Sequence, residues 1–375
     1  MKVLIIYRYI AHYRLAFYKG MYNELTKKGI ELTLVFGDVD NTLSVAEVQK
    51  VLPWAEYIPN KKIQFGGIEM IWQPSLKQVS KSDIVIVEQA NRLLINYILI
   101  IMRLFWKKKK LAFWGHGLNL QDNPKSIANK FKYSYIRRVD WWFAYTESVN
   151  NTLLKSGFKS KNITVVQNCF DTNEDLHNFN TIRQDELNDV KKRYCITDKQ
   201  IILIYCGRLY GHKNIPFLLE SYKLIQQKIE NSLLIIIGDG KDKEFVTNAQ
   251  LSGSNILWLG TLTGKERIPF FYLAKLMLMP SAVGLSIIDS FIFKTPLVTT
   301  ENRYNGPEID YLKHNENGII TVNDLNTYTN EVVNILKDEI RFRILEKGCE
   351  EAAKKYTIEN MINNFVIGIS NLDKN

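Results

Sequence analysis

The sequence predicts an α/β protein of two domains, each a parallel sheet covered by helices on both faces, and three observations predict it. Short apolar runs alternate with helix-length segments along the chain, as they must where each strand returns to its sheet through a helix. At 375 residues the chain exceeds one ordinary core and suits two domains of about 150 to 200 residues each. A hydrophobic fraction of 46% and a charged fraction of 23% belong to a globular chain and exclude wholesale disorder.

In the first half the strand-like runs fall at 3–6, 32–36, 84–87, 111–113, 142–144 and 163–166. The first is cut short by Tyr7-Arg8, so it reads as a buried strand and is too short for a signal peptide. The loop after it, Tyr7-Arg8-Tyr9-Ile10-Ala11-His12-Tyr13-Arg14, lies at a strand's carboxyl end, where open α/β sheets bind ligands. Its tyrosines and arginines suit an acceptor sugar or phosphate, and equally suit packing between domains. Asp38-x-Asp40 places two carboxylates in one loop, as a divalent cation needs, but the motif stands alone and reads as a solvated turn. No metal is expected.

Residues 93–106 are strongly apolar and end in four lysines, Lys107 to Lys110. The run is shorter than the roughly twenty residues a spanning helix needs. Two readings stay open together: a buried helix of the sheet layer, and a peripheral contact of 93–110 with an anionic membrane surface. His116, between Gly115 and Gly117, follows a strand, where glycines let a ligand approach closely. The polar stretch 171–200 reads as a linker with some helix near its end.

The second half carries the denser signal. Ile201-Ile202-Leu203-Ile204-Tyr205 turns through Gly207-Arg208-Leu209 and Lys213-Asn214-Ile215-Pro216 into a helical pattern. A strand, a Gly-bearing turn and a helix start hold phosphates, because unpaired N–H groups and the positive dipole end both face the anion. Asn214 suits a side-chain cap and Pro216 the first helical turn. Further apolar runs precede Gly238-Asp239-Gly240, Leu259-Gly260, Pro280-Ser281 and Gly284-Leu285 up to Asp289, then Pro296-Leu297 and Pro307-Glu308. Arg208 and Lys213 put two cations on one turn, which suggests a diphosphate.

Taken in this order, the motifs from Gly207-Arg208-Leu209 to Pro307-Glu308 resemble the C-terminal domain of retaining GT-B glycosyltransferases of the family 4 type. The resemblance implies two facing Rossmann-like domains with an interdomain cleft. Residues 1–170 would form the acceptor-binding domain, 171–200 the linker and 201–350 the nucleotide-sugar domain. Residues 351–375 would form a helix returning to the first domain. It implies that Gly207, Arg208 and Lys213 meet the donor diphosphate, that the Gly284 and Leu285 amides hold the distal phosphate, and that Asp289 accepts hydrogen bonds from ribose hydroxyls. Glu308 either contacts donor or caps a helix. His116 is the candidate for the family's sugar-contacting histidine, with His12 its rival.

The chain departs from the family at Ser281, where the first acidic residue of the Glu-x7-Glu element would stand, and Asp289 replaces the second Glu. The four cysteines, Cys169, Cys195, Cys206 and Cys349, show no metal or disulfide spacing, which fits a reducing cytosol. The net charge of +10 favours anionic partners. The expectation is a metal-independent transferase in the cytoplasm, peripheral at the inner membrane face. It would move a sugar from a nucleoside-diphosphate sugar, UDP above others, to a glycan or polyprenyl-diphosphate-linked acceptor. The alternative is a transferase-like subunit that binds nucleotide or a partner without turnover. A nucleic-acid partner has only charge behind it and no motif.

Overall fold

The computed structural model describes residues 1–117 and 135–374. The chain forms two compact units, Met1–Asp171 with Thr357–Asn375, and Thr172–Tyr356.

The first unit begins with β1 (Lys2–Ile10), α1 (Leu15–Lys27), β2 (Glu31–Val39), α2 (Val45–Val51) and β3 (Ala55–Tyr57). An antiparallel hairpin follows, β4 (Lys61–Phe65) and β5 (Ile68–Trp72). Its turn is Gly66-Gly67, with φ of 56° and 80°, values that glycine adopts without a Cβ penalty. The first-half strand pattern did not include this hairpin, because polar residues interrupt its apolar ones and leave no continuous apolar run. Then come α3 (Leu76–Lys81), β6 (Ile84–Glu88), α4 (Leu94–Arg103), β7 (Lys110–Gly115), β8 (Trp141–Ala144), α5 (Glu147–Lys155) and β9 (Ile163–Val165). Among the described residues the main sheet runs β3-β2-β1-β6-β7-β8-β9, all parallel.

The second unit opens with α6 (Asn173–Asn180) and α7 (Gln184–Arg193), so the stretch expected as a linker is largely helical. Phe179 of α6 packs its ring 5.4 Å from Tyr272 and 5.3 Å from Phe293, which ties the helix to this unit. The alternation continues with β10 (Ile201–Cys206), α8 (Ile215–Lys228), β11 (Ser232–Ile237), α9 (Lys243–Leu251), β12 (Ile256–Trp258), α10 (Ile268–Leu273) and β13 (Ala274–Leu278). It ends in α11 (Ser286–Ile292), β14 (Leu297–Thr300), β15 (Gly318–Thr321), α12 (Leu325–Lys337) and α13 (Glu339–Lys355). The sheet order is β12-β11-β10-β13-β14-β15, again parallel. Strand β10 is followed on one side by β11 and on the other by β13, so the order reverses there. Such a reversal splays the two outgoing loops apart and leaves a crevice at the strands' carboxyl ends.

The last helix, α14 (Ile358–Lys374), belongs to the first unit. Its apolar side chains recur at helical spacing, and Met361, Phe365, Ile369 and Leu372 are fully buried. Phe365 stacks on Phe143 at 4.5 Å with planes 4° apart and meets the Trp114 ring edge-on at 4.9 Å. Gly368 makes the seat possible, since a Cβ there would fall 2.5 Å from Phe143 Cε1 and 2.6 Å from Thr164 Oγ1. Met361 Sδ also receives a 3.6 Å bond from Arg14, and Asn168 accepts a second one from the same guanidinium.

Candidate functional site

The crevice of the second unit begins where β10 ends. Gly207-Arg208-Leu209 passes under Gly238-Asp239-Gly240, and the two turns are laced together. Gly207 N–H donates to Ile237 O (2.9 Å), Leu209 N–H to Asp239 O (2.9 Å) and Asp242 N–H to Leu209 O (3.1 Å). A Cβ on Gly238 would lie 1.9 Å from Gly207 O, and one on Gly240 2.0 Å from Leu209 O. Both glycines also have φ near the extended left-handed limit, at 141° and 157°. The Gly-Asp-Gly motif therefore supports the phosphate-type turn by close backbone approach. Trp258 closes the same corner, donating from Nε1 to Gly238 O at 2.9 Å.

Arg208 is exposed and has no ion-pair partner among the described residues. Lys213 is 8% exposed, on the single 3-10 turn Gly211–Lys213. Its ammonium donates to Ala282 O at 2.7 Å and touches Met279 Sδ at 3.7 Å, which joins the turn after β10 to the turn after β13. Burial lowers its pKa from 10.5 to about 8, while the neighbouring Cys206 sulfur acts in the opposite direction. Asn214 does not cap α8 with its side chain. Instead it takes the left-handed conformation (φ 54°, ψ 51°), which Asn tolerates, and so turns the chain into the helix with its amide left outside.

The turn after β13 is short. Ala282 sits at φ 52°, and Gly284 and Leu285 lead into α11 with no side-chain cap. No described residue accepts from the N–H groups of Gly284 and Leu285. The loop after β14 holds this turn in place. Asn302 donates to Pro280 O (3.2 Å) and Thr300 O (3.1 Å) and accepts from Ser281 Oγ (3.2 Å) and Tyr304 N–H (2.9 Å). Asn305 accepts from Val283 N–H at 3.0 Å, and Gly306 N–H donates to Val283 O at 2.6 Å. Glu308, 5% exposed on the 3-10 turn Pro307–Tyr311, lies so close that a Cβ on Gly306 would be 2.7 Å from its Oε2.

Asp289 is 7% exposed on α11. Sequence reasoning missed its partner: Arg267 Nη1 meets Asp289 Oδ2 at 2.8 Å, and Arg267 Nη2 meets Asp175 Oδ2 at 2.5 Å. The guanidinium also lies 5.3 Å from the Phe293 ring and 5.9 Å from Phe271. Burial pushes the Asp289 carboxyl up and Arg267 pulls it back. Its second oxygen, Oδ1, is buried without a partner among the described residues and remains an acceptor. No pattern in the sequence announces this group, since Asp175 looked like linker and Arg267 introduces an apolar run.

In the first unit His116 is exposed beside Tyr145, ring centroids 4.1 Å apart. The Tyr145 and Tyr7 hydroxyls are 3.1 Å apart, and Arg8 Nε bonds Glu88 Oε1 at 3.1 Å. The stretch expected as a loop is ordered, residues 7–10 extending β1 and His12–Arg14 forming a 3-10 turn. Arg14 is buried under the rings of Tyr13, Trp114 and Tyr145 and serves packing, while Tyr9 and Tyr13 remain exposed. His12 donates its backbone N–H to Asp40 at 2.6 Å; Asp40 also accepts from Thr42 N–H at 2.9 Å, and Asp38 from Asn60 at 2.7 Å. Asp40 is thus engaged in a local turn, while Asp38 stands at the end of β2 and is held by Asn60 of the chain after β3.

Residues 200–338 match the family model for Glycosyl transferases group 1. The glycosyltransferase match thus covers the second unit's sheet from β10 to β15. The chain is 26% identical over 274 residues to an uncharacterized glycosyltransferase of Methanocaldococcus jannaschii, covering 64% of each chain. It is 22% identical over 262 residues to N-acetyl-alpha-D-glucosaminyl L-malate synthase of Bacillus anthracis, covering 67% of this chain and 64% of that one. The aligned segments thus span just under two thirds of these relatives. Anabaena Alr3699/HepE, solved in complex with UDP, superposes with a TM-score of 0.70 at 13% identity, over 99% of this chain and all of that one. The fold is GT-B, built of two Rossmann-like units.

Replacing Arg267 by Met would leave buried Asp289 and half-buried Asp175 without their shared cation, a change that costs about 3–5 kcal/mol. The expected outcome is a marked fall in the chemical-denaturation midpoint, largely restored in Arg267→Met/Asp289→Asn. A single variant as stable as wild type would show that the pair carries no weight.

Proposed function

We propose that the protein is a retaining, metal-independent glycosyltransferase that takes a sugar from a UDP-sugar and passes it to a glycan or lipid-linked acceptor. The observation that carries the reading is Lys213, a buried ammonium joined to the turn that opens α11. On the same turn of chain after β10 stands Arg208, whose guanidinium has no ion-pair partner among the described residues. Cleavage of the anomeric C–O bond leaves a diphosphate whose charge needs cations and N–H donors where it develops. Arg208 brings a planar fork, Lys213 a point charge, and the Gly284 and Leu285 amides two further donors. Asp289 Oδ1 would accept from a ribose hydroxyl, and Glu308 would brace the Val283-Gly284 turn against the donor. His116 is the first unit's candidate for touching a sugar.

In this scheme the C–O bond to the leaving phosphate breaks and an acceptor hydroxyl bonds to the same face of the anomeric carbon. The departing phosphate oxygen takes the hydroxyl proton, so no separate base is required and configuration is retained. The group 1 family match and the UDP bound by the Anabaena neighbour support a nucleotide-sugar donor. Serine at position 281, in place of an acid, favours a second reading: a non-catalytic subunit that binds the nucleotide without turnover.

Contact with an anionic membrane would fall at the end of α4. Ile101, Leu104 and Phe105, at i, i+3 and i+4, are 59%, 74% and 81% exposed, while Arg103 is forked onto Asp140 at 2.6 and 3.1 Å. Lys107 and Lys108 are exposed beside them. Lys109 is spent on the carbonyls of Val79 and Ser82, so two of the four lysines carry this role with half-buried Lys110 behind them. No helix among the described residues is long and apolar enough to cross a membrane.

Three measurements test the proposal. Release of nucleoside diphosphate from UDP-, GDP- and ADP-sugars, with and without chelator, should show chelator-resistant turnover of a UDP-sugar, abolished in Arg208→Ala and weakened in Asp289→Ala. UDP binding without turnover of any donor, with acceptor lipids supplied, would instead establish the non-catalytic subunit. UDP affinity should be flat at pH 6.5–7.5 and fall about tenfold by pH 9, because free Lys213 loses its proton above about 8 and binding must restore it. In Lys213→Met the affinity is weaker and this slope disappears; an unchanged slope would remove Lys213 from the site. Co-sedimentation with phosphatidylglycerol vesicles should drop at least fivefold in Leu104→Ser/Phe105→Ser, and equal binding by wild type and variant would exclude this anchor.

A further inference from the structure

The hairpin β4–β5 stands outside the parallel sheet, and one of its faces leaves apolar side chains in water. Its register sets Lys61 opposite Trp72, Lys62 opposite Ile71, Ile63 opposite Met70 and Gln64 opposite Glu69. Residues opposite one another share a face and successive residues alternate, so the register sorts the side chains into two sets. Lys62, Gln64, Glu69 and Ile71 form the inner one. There Ile71 is buried, its N–H donates to Arg92 O at 2.7 Å, and Lys62 pairs with Glu69 at 3.5 Å. The outer one holds Ile63 and Ile68, 42% and 58% exposed, with half-buried Met70 and Trp72. Two strands alone are marginal in water, so an apolar face left open on such a pair calls for a cover.

The edge of the hairpin restricts what that cover is. No described residue outside β5 bonds the β4 backbone, and this open edge carries Lys61 and Lys62 side by side, which opposes pairing with another strand. The cover is therefore apolar matter without backbone groups of its own. Along the outer face polarity changes from tip to base: Ile68 beside the Gly66-Gly67 turn, then Ile63 with Met70, then Lys61 with Trp72. An apolar tip above an indole and a cation matches a hydrocarbon chain that ends in a phosphate. Lys61 is exposed and has no ion-pair partner among the described residues, so it is available to that phosphate. The base of the hairpin is fixed to the ligand edge of the sheet. Asn60, just before β4, donates to Arg8 O at 2.8 Å, and Gln73, just after β5, donates to Tyr7 O at 3.5 Å, both carbonyls lying in the carboxyl-terminal half of β1.

We infer that the outer face of this hairpin carries the hydrocarbon of a phosphate-bearing lipid, with the phosphate at Lys61, and that the acceptor is of the lipid-linked kind and not a free glycan. The inference rests on the transferase reading given above and names the acceptor within it.

The test is titration calorimetry of farnesyl diphosphate and of inorganic diphosphate, with UDP in saturating excess so that Arg208 and Lys213 are already occupied. Wild type should bind farnesyl diphosphate at least about tenfold more tightly than inorganic diphosphate. In Ile63→Ser/Ile68→Ser the farnesyl diphosphate affinity should fall at least about tenfold, because two apolar side chains no longer leave water on binding. In Lys61→Gln it should fall about three- to fivefold, the worth of one lysine near an anionic head group. The substituted residues are exposed, and a melting temperature within about 2 °C of wild type reports the fold. No binding of farnesyl diphosphate by wild type, or unchanged affinity in the serine variant, would overturn the assignment. A concentration-dependent dimer in sedimentation velocity that the serine variant loses would overturn it in favour of a second copy of the chain. Weaker co-sedimentation of the serine variant with phosphatidylglycerol vesicles, at unchanged farnesyl diphosphate affinity, would overturn it in favour of the bilayer itself. Failure of wild type to bind UDP would sink the nucleotide reading, whereas farnesyl diphosphate binding lost in the serine variant would still uphold the lipid face.

Discussion

Arg267 is the cation on which the floor of the second unit's crevice depends. It holds Asp175 of α6 and Asp289 of α11 at once, under the rings of Phe271 and Phe293. One buried positive charge between two carboxylates leaves the group one negative charge in excess, so burial raises the Asp289 pKa and raises the cost of losing Arg267. The arrangement is affordable only because α6 is folded onto this unit and brings Asp175 with it. What remains is an acceptor, Asp289 Oδ1, held in one place with no partner among the described residues.

Above that floor, charge is handled in two ways. Arg208 stays in water, where a guanidinium costs nothing to keep ionised. Lys213 is drawn inside, against a carbonyl and a thioether, and its pKa falls to about 8. An ammonium so placed is poorly solvated before an anion arrives and gains most from its arrival.

The sheet layout put these features at one edge. In both units the strand order reverses beside the first strand, between β1 and β6 and between β10 and β13. Parallel strands bring every carboxyl end to the same edge, so turns far apart in sequence become neighbours there. That is how Ser281, Asn302 and Asn323 come to line one space.

Much of this was legible in the residues. Short apolar runs such as Ile201 to Tyr205, bounded by turn residues, suit strands buried on both faces, and a turn rich in Gly follows where a Cβ would meet the neighbouring backbone, as one on Gly240 would meet Leu209 O at 2.0 Å. The apolar spacing of α14 likewise announced a helix that needs a partner. The sequence by itself therefore determined the fold class, the phosphate-type turn and the residue types at it, because these follow from local periodicity and backbone sterics. Only the tertiary structure decided that Arg267 pairs with Asp289, that Asn214 turns the chain and does not cap it, and that Lys109 serves the protein while Lys107 and Lys108 face water. Each of these depends on which groups burial leaves without water, and burial is a property of packing between elements that no single stretch of sequence contains.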